Sequence, residues 1–253
     1  MTPDTQRNGP VPDGTEPETD TTAATEALHE VINRARVVLW DFDGPICRLF
    51  AGHTAEGVAG ELVEWLGSRG LHGLLTPEER RSPDPQILLR AVQDRHPGSG
   101  LVAELEERLT QEELRAVTSS MPTAYADPLI RTWAATGSAM AVTTNNSARA
   151  VRAYLAGRGL LSCFAPHIYG RTQELHLLKP DPYCLHQALS ATGTAPSAAV
   201  MIGDSPTDWE AASRAGVPFV GYARNERKEH ALRAVGAQHI TRTLETLLRV
   251  VRH

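Results

Sequence analysis

The chain has 253 residues, enough for one large domain or two modest ones, with 41% hydrophobic and 22% charged residues, as in an ordinary globular protein. Its net charge of −5 gives no electrostatic reason to expect a nucleic-acid or acidic-membrane partner, and no apolar run is long enough to cross a bilayer. The beginning shows neither the basic residues nor the apolar stretch of a secretory signal, and Cys47, Cys163 and Cys184 are odd in number without metal or redox spacing, so a reduced, cytoplasmic setting is expected.

Residues 1–22 carry much Pro, Thr, Asp and Gly and almost nothing to bury, which predicts a disordered tail. A short helix is expected over about 24–35. RVVLWD at 36–41 reads as a strand buried on both faces, because its apolar run does not alternate. From 48 to 126 the pattern is helical, with no strand signal. Val58, Leu62 and Leu66 share one helix face, Thr76-Pro77 with Glu79 makes a capping box, Asp84-Pro85 opens another helix, and 101–117 forms a further helix or pair.

Asp127-Pro128 starts a helix, and from there strands and helices alternate. SAMAVT (138–143), HIYG (167–170), AAVMIG (198–203), VPFVG (217–221) and AQHI (237–240) are the expected strands. The helices between them open at Ser147, at Asp181-Pro182 and at Ser205-Pro206, with two more towards the end. This rhythm predicts an α/β fold, a doubly wound parallel sheet with helices on both faces. The first strand then joins a sheet completed only after the helical block. On this reading 23–47 and 127–253 form the core, and 48–126 an inserted helical domain.

Ligands of such sheets sit outside the carboxyl ends of the strands. Three strands end in polar groups there: Asp41 and Asp43 after VVLW, Thr143, Thr144 and Asn145 after AMAV, and Asp204 after VMIG. Two carboxylates spaced as Asp41 and Asp43 sit about 6 Å apart in extended chain. They would repel by roughly 3 kcal/mol at an effective dielectric near 20. A lone Asp-Gly turn would explain one such pair. A second acidic strand end beside it calls for a protonated carboxyl or a divalent cation, and oxygen ligands without His or Cys favour Mg²⁺.

DFDGPI (41–46), VTTNN (142–146), KPDP (179–182) and GDSPTD (203–208) resemble, in order, the four motifs of the haloacid dehalogenase-like superfamily of phosphatases and phosphotransferases. The resemblance covers about 36–221, and the helical block matches the α-helical cap of phosphoglycolate phosphatase-like and β-phosphoglucomutase-like members. It implies a Rossmann-like core in which Asp41 is the nucleophile that forms an aspartyl-phosphate and Asp43 is the general acid and base. It implies Mg²⁺ held by Asp41, the Asp43 carbonyl and Asp204. Thr144, with the Asn145 amide, would bind a phosphoryl oxygen, and Lys179 would supply a compact positive charge. Asp208 has two readings, a metal ligand or a partner of Lys179, beside its capping role at Ser205-Pro206.

Only Lys179 and Lys228 interrupt an otherwise all-Arg set of basic side chains, which marks Lys179 for a task Arg cannot perform; Lys228, within NERKEH, reads as solvated. Asp181 reads as a helix cap, Cys47 as a packed thiol, and Arg80, Arg81, Arg90 and Arg95 as mainly surface charges. His53, twelve residues past Asp41, is a possible contact at the cap hinge. Pro45 and Arg48 depart from the family's usual residues there. The expected function is a Mg²⁺-dependent phosphatase of a small phosphorylated metabolite. The alternatives are a phosphosugar mutase or phosphotransferase of the same superfamily, and a non-catalytic protein that binds a phosphorylated ligand. A dehalogenase would leave Asp43 without a role, and a Schiff-base phosphonate hydrolase needs a cap lysine that 48–126 lacks. No oligomeric state follows from the sequence.

Overall fold

Apolar runs that do not alternate become the middle of a sheet in the computed structural model, which describes residues 18–252, with side chains from Glu26 onward. Helix α1 (Glu18–Arg34) leads into β1 (Val37–Trp40), whose four residues are all buried. The expected tail lies outside the described residues over 1–17. Residues 18–22 are instead the first turns of α1, which the alanines at 23, 24 and 27 favour.

The next elements are β2 (Cys47–Arg48), α2 (Ala55–Ser68), α3 (Pro77–Arg80), α4 (Pro85–Arg95), α5 (Gly100–Val117) and β3 (Met121–Pro122). Thr76 and Glu79 close the expected capping box, and Asp84 accepts the Gln86 N–H at 2.9 Å. β2 and β3 pair antiparallel. The sequence predicts no strand here, because two residues are too short for a period to show. The helices share an apolar cluster, in which Val58, Leu62 and Leu66 of α2 meet Leu88, Leu89 and Val92 of α4 and Leu105 and Leu109 of α5, and which Leu175 and Leu178 join from outside the block.

The alternating part follows as α6 (Ala126–Ala135), β4 (Ala139–Ser147), α7 (Ala148–Gly157), α8 (Leu161–Phe164), β5 (Ile168–Arg171) and α9 (Tyr183–Thr192). It ends with β6 (Ala199–Gly203), α10 (Pro206–Ala215), β7 (Phe219–Tyr222), α11 (Glu226–Ala234), β8 (His239–Thr241) and α12 (Leu244–Val251). Six strands form one sheet in the order β5-β4-β1-β6-β7-β8, every pair parallel. Val38 and Trp40 face one apolar cluster and Val37 and Leu39 the other, so both faces of β1 are covered by helices. This is the expected doubly wound parallel sheet. β4 outruns its expected end at Thr143. Its register with β5 shifts between Thr143 and Ser147, an irregularity that contains Thr144 and Asn145, beyond the last β1 partner of β4 at Val142.

A buried ion pair fastens α5 to this sheet. Glu113 accepts Asn146 Nδ2 at 3.0 Å, the Ser147 N–H at 2.8 Å and the Arg171 guanidinium at 2.8 and 3.1 Å, and both side chains of the pair are 1% exposed or less. Removing one partner of such a pair leaves an uncompensated buried charge, at about 3–5 kcal/mol. Glu113→Ala is expected to lower the melting temperature by about 10 °C, since 1 kcal/mol shifts Tm by roughly 2–4 °C at this size. Thermal unfolding followed by circular dichroism checks this; an unchanged midpoint would show that the pair contributes little.

Candidate active site

Parallel strands put all their carboxyl ends at one edge, and the expected residues meet there. A carboxylate oxygen from each of Asp41, Asp204 and Asp208 lies within 4.8 Å of the others, and all three residues are buried. Two glycines make the approach feasible. Gly44 has φ +135°, and a Cβ there would overlap Asp204 Oδ2; a Cβ on Gly203 would sit 2.5 Å from Asp208 Cβ. The hydroxyl of Thr123, on the return from the helical block, donates to the Gly44 carbonyl at 2.5 Å and pins the turn.

Lys179 sits among these acids, 2% exposed. Its Nζ donates to Asp41 Oδ1 at 2.8 Å, Asp208 Oδ1 at 2.5 Å and the Thr143 carbonyl at 2.9 Å, so all three N–H bonds are used. Burial alone would lower its pKa, but the charges of Asp208 and Asp41 more than reverse that, and the group stays an ammonium. Burial and the Asp208 charge raise the Asp41 carboxyl against the opposing pull of Lys179. Asp208 resists the effect of burial: the Lys179 charge and hydrogen bonds from Lys179, Ser205 and the Asp204 N–H hold it below the ordinary range. Asp43, half-buried, accepts the Leu49 N–H at 2.8 Å, yet burial pushes its carboxyl up to about 6.

Asp208 fulfils the lysine and capping readings at once. Its Oδ2 accepts Ser205 Oγ at 2.7 Å and the N–H groups of Asp204 and Ser205 at 3.0 Å, and Oδ1 accepts Lys179. With those acceptor positions filled, Asp208 anchors Lys179, whereas Lys179 takes only Oδ1 of Asp41 and Lys228 only Oδ2 of Asp204, which leaves each of these two one further oxygen for a cation. Asn145 also differs from expectation. Its Oδ1 accepts the Lys179 N–H at 2.8 Å and its Nδ2 donates to the Lys179 carbonyl at 3.1 Å, so this amide positions the lysine loop. Thr144 Oγ1 pairs with Asn146 and lines the cavity over Asp41. Asp181 accepts the Tyr183 N–H at 2.9 Å, the capping role expected of it.

His53 bonds Glu112 of α5 at 2.9 Å and is not among the side chains lining the cavity. Arg80, Arg81 and Arg95 are held within the helical block, and Arg90 donates to the Lys179 carbonyl at 2.6 Å. Lys228 overturns its reading as a solvated charge. Its Nζ lies 2.7 Å from Asp204 Oδ2, since α11 begins just past the carboxyl end of β7, the strand beside β6. Burial pushes the Asp204 carboxyl up to about 7, and Lys228 opposes the shift. The scarcity of lysine that singles out Lys179 applies equally to Lys228.

The acids open into a cavity of about 490 Å³, with Phe50, Asp84 and Gln86 on its helical side and Arg224, Arg227 and Lys228 on its core side. A second cavity of about 260 Å³, beyond Thr144, is walled largely by Ile168, Tyr169, Leu177 and Leu178 and holds Glu174 as its acid. The reactive groups therefore face the first. The hard oxygen donors of Asp41 and Asp204, with the space kept by Gly44, suit a small divalent cation. Among the described residues no helix is long and apolar enough to cross a membrane.

The chain is similar to known proteins in sequence and in fold. The sequence model of the family described as haloacid dehalogenase-like hydrolase matches residues 101–222. A phosphoglycolate phosphatase of Rhodospirillum rubrum is 40% identical over 100 residues, 38% of this chain and 41% of the relative. A phosphoglycolate phosphatase of Thiobacillus denitrificans is 30% identical over 151 residues, 60% of each chain. The matched stretches thus span about half the length of these curated relatives. The structure of CbbY from Rhodobacter sphaeroides in complex with phosphate superimposes with TM-score 0.61 at 20% identity, covering 87% of this chain and 100% of that one; at that identity the likeness establishes the fold.

Proposed function

We propose, from the premise that the chain belongs to the haloacid dehalogenase-like superfamily, that it hydrolyses a small phosphomonoester through an aspartyl-phosphate on Asp41. The observation that carries this reading is the Lys179 ammonium held between Asp41 and Asp208, with Asp204 alongside. A phosphate dianion and a carboxylate nucleophile repel, so the site must neutralise both before they can meet. Lys179 provides one buried positive charge fixed by three bonds. A divalent cation held by Asp41, Asp204 and the Asp43 carbonyl would neutralise phosphate charge when bound.

The steps follow from the side chains. An Asp41 oxygen attacks phosphorus while the bond to the ester oxygen breaks, and the leaving alkoxide takes its proton from Asp43. Raised to about 6, Asp43 retains a protonated fraction near neutrality and can then accept a proton from the attacking water. Water oxygen bonds to phosphorus, the Asp41–phosphorus bond breaks, and the carboxylate is restored. Thr144 lines the approach to Asp41, and its hydroxyl, turned away from Asn146 Oδ1, would donate to a phosphoryl oxygen. The helical block 48–126 serves as a cap limiting substrate size, and the three unpaired cysteines support a reducing, cytoplasmic setting.

Phosphate release from an aryl phosphate tests the reading. Release is expected with Mg²⁺, with loss on chelation and recovery on re-addition; none from folded protein with Mg²⁺ would favour the phospho-ligand-binding alternative. Binding to the native state should also show thermally. At a hundredfold excess over Kd, Mg²⁺ stabilises by about 2.7 kcal/mol, a rise of roughly 5–10 °C in Tm. Asp204→Asn is expected to abolish that rise.

A further inference from the structure

Besides Lys179, three cationic side chains line the cavity. Lys179 is committed to Asp41 and Asp208. Arg224, Arg227 and Lys228 line the same cavity from the turn after β7 and the first turn of α11. The acids of that segment point elsewhere: Glu226 and Glu229 meet Arg242, and Glu229 also meets Arg233. Among the described residues Arg224 and Arg227 have no carboxylate at ion-pair distance, and both are exposed at the cavity mouth. The helical side answers with no cation. Phe50, Ala55, Pro83, Pro85 and Gln86 line it with Asp84 as its only ionisable group besides Glu113, which Arg171 neutralises.

We infer that Arg224, Arg227 and Lys228 form a second anion subsite, so that the substrate is a small phosphomonoester bearing another anionic group, a carboxylate or a second phosphate. Two guanidiniums, with their fork of donors, suit either oxyanion. Lys228 reaches Asp204 at 2.7 Å, and a cation on Asp204 would leave its ammonium to the substrate. The assignment rests on the phosphomonoester reading of the site. It places recognition of the second anion on the core, since Arg80, Arg81, Arg90 and Arg95 of the helical block are turned to partners of their own.

The test compares 2-phosphoglycolate and fructose 1,6-bisphosphate, one for each anion, with glycerol 3-phosphate, which has a neutral tail. In the wild type kcat/KM should favour at least one anionic substrate. In Arg224→Ala/Arg227→Ala that preference over glycerol 3-phosphate should fall by about 10-fold or more, through KM, as expected for losing hydrogen bonds to a charged group. Calorimetric titration of the Asp41→Asn protein with the same compounds and Mg²⁺, with and without the two arginine changes, reads the ratio without turnover. The inference therefore survives or fails separately from the hydrolase reading. A preference confined to phosphoglycolate assigns a carboxylate, and one confined to the bisphosphate assigns a phosphate. A ratio that the double substitution leaves unchanged in both measurements, or a wild type with no anionic preference, overturns the subsite.

Discussion

Asp41→Asn is expected to reduce phosphate release on the order of 10⁴-fold or more while the protein remains folded. An amide oxygen lacks the charge to attack phosphorus, and loss of a nucleophile removes the whole covalent route. The fold should tolerate the change. The amide oxygen that replaces Asp41 Oδ1 can still accept from Lys179, and the neutral side chain removes a buried carboxyl whose ionisation is opposed by burial and by Asp208. Steady-state phosphate release with Mg²⁺, beside the melting curve, checks both halves. Activity within about tenfold of wild type would reject the assignment of Asp41.

The second large effect is at Lys179. Lys179→Met keeps most of the volume but leaves Asp41 and Asp208 facing each other without a cation in a buried site. Breaking a buried pair costs about 3–5 kcal/mol, or about 10 °C in Tm for a chain of this size. Catalysis should fall by roughly 10²–10³, the usual loss when one fixed electrostatic partner of the transition state is removed. Lys179→Arg should rescue neither property. The three acceptors on Asp41, Asp208 and Thr143 surround a point donor, and a planar fork does not reproduce that geometry. Melting curves and kcat measured on both variants test this; a fully active, stable Lys179→Arg would contradict it.

Strand direction alone brings Asp41, Thr144 and Asp204 to one rim, because every strand of a parallel sheet ends on the same side. Lys179 is legible from its rarity. The features that stay hidden in the sequence depend on distances the chain order does not encode. Lys228 reads as one charge in a polar run, and it meets Asp204 because α11 begins just past the carboxyl end of β7, the neighbour of β6. The Glu113–Arg171 pair joins residues 58 apart, from a helix of the block to an edge strand, with no periodicity to announce it. Asn145 reads as a phosphate contact because it follows Thr144, whereas the register shift in β4 aims its amide at the Lys179 backbone. Asp208 admits two readings for a related reason. Its capping geometry is local and readable, but its lysine partner lies 29 residues away.

The most direct measurement is to locate the phosphoryl group during turnover. Protein mixed with substrate and Mg²⁺, quenched in acid within a single turnover and digested, should yield one phosphorylated peptide. It should be the peptide containing Asp41, and the mark should vanish in Asp41→Asn. A phosphoryl group on any other residue, or product release by active enzyme with no phosphorylated peptide at any quench time, would contradict the account.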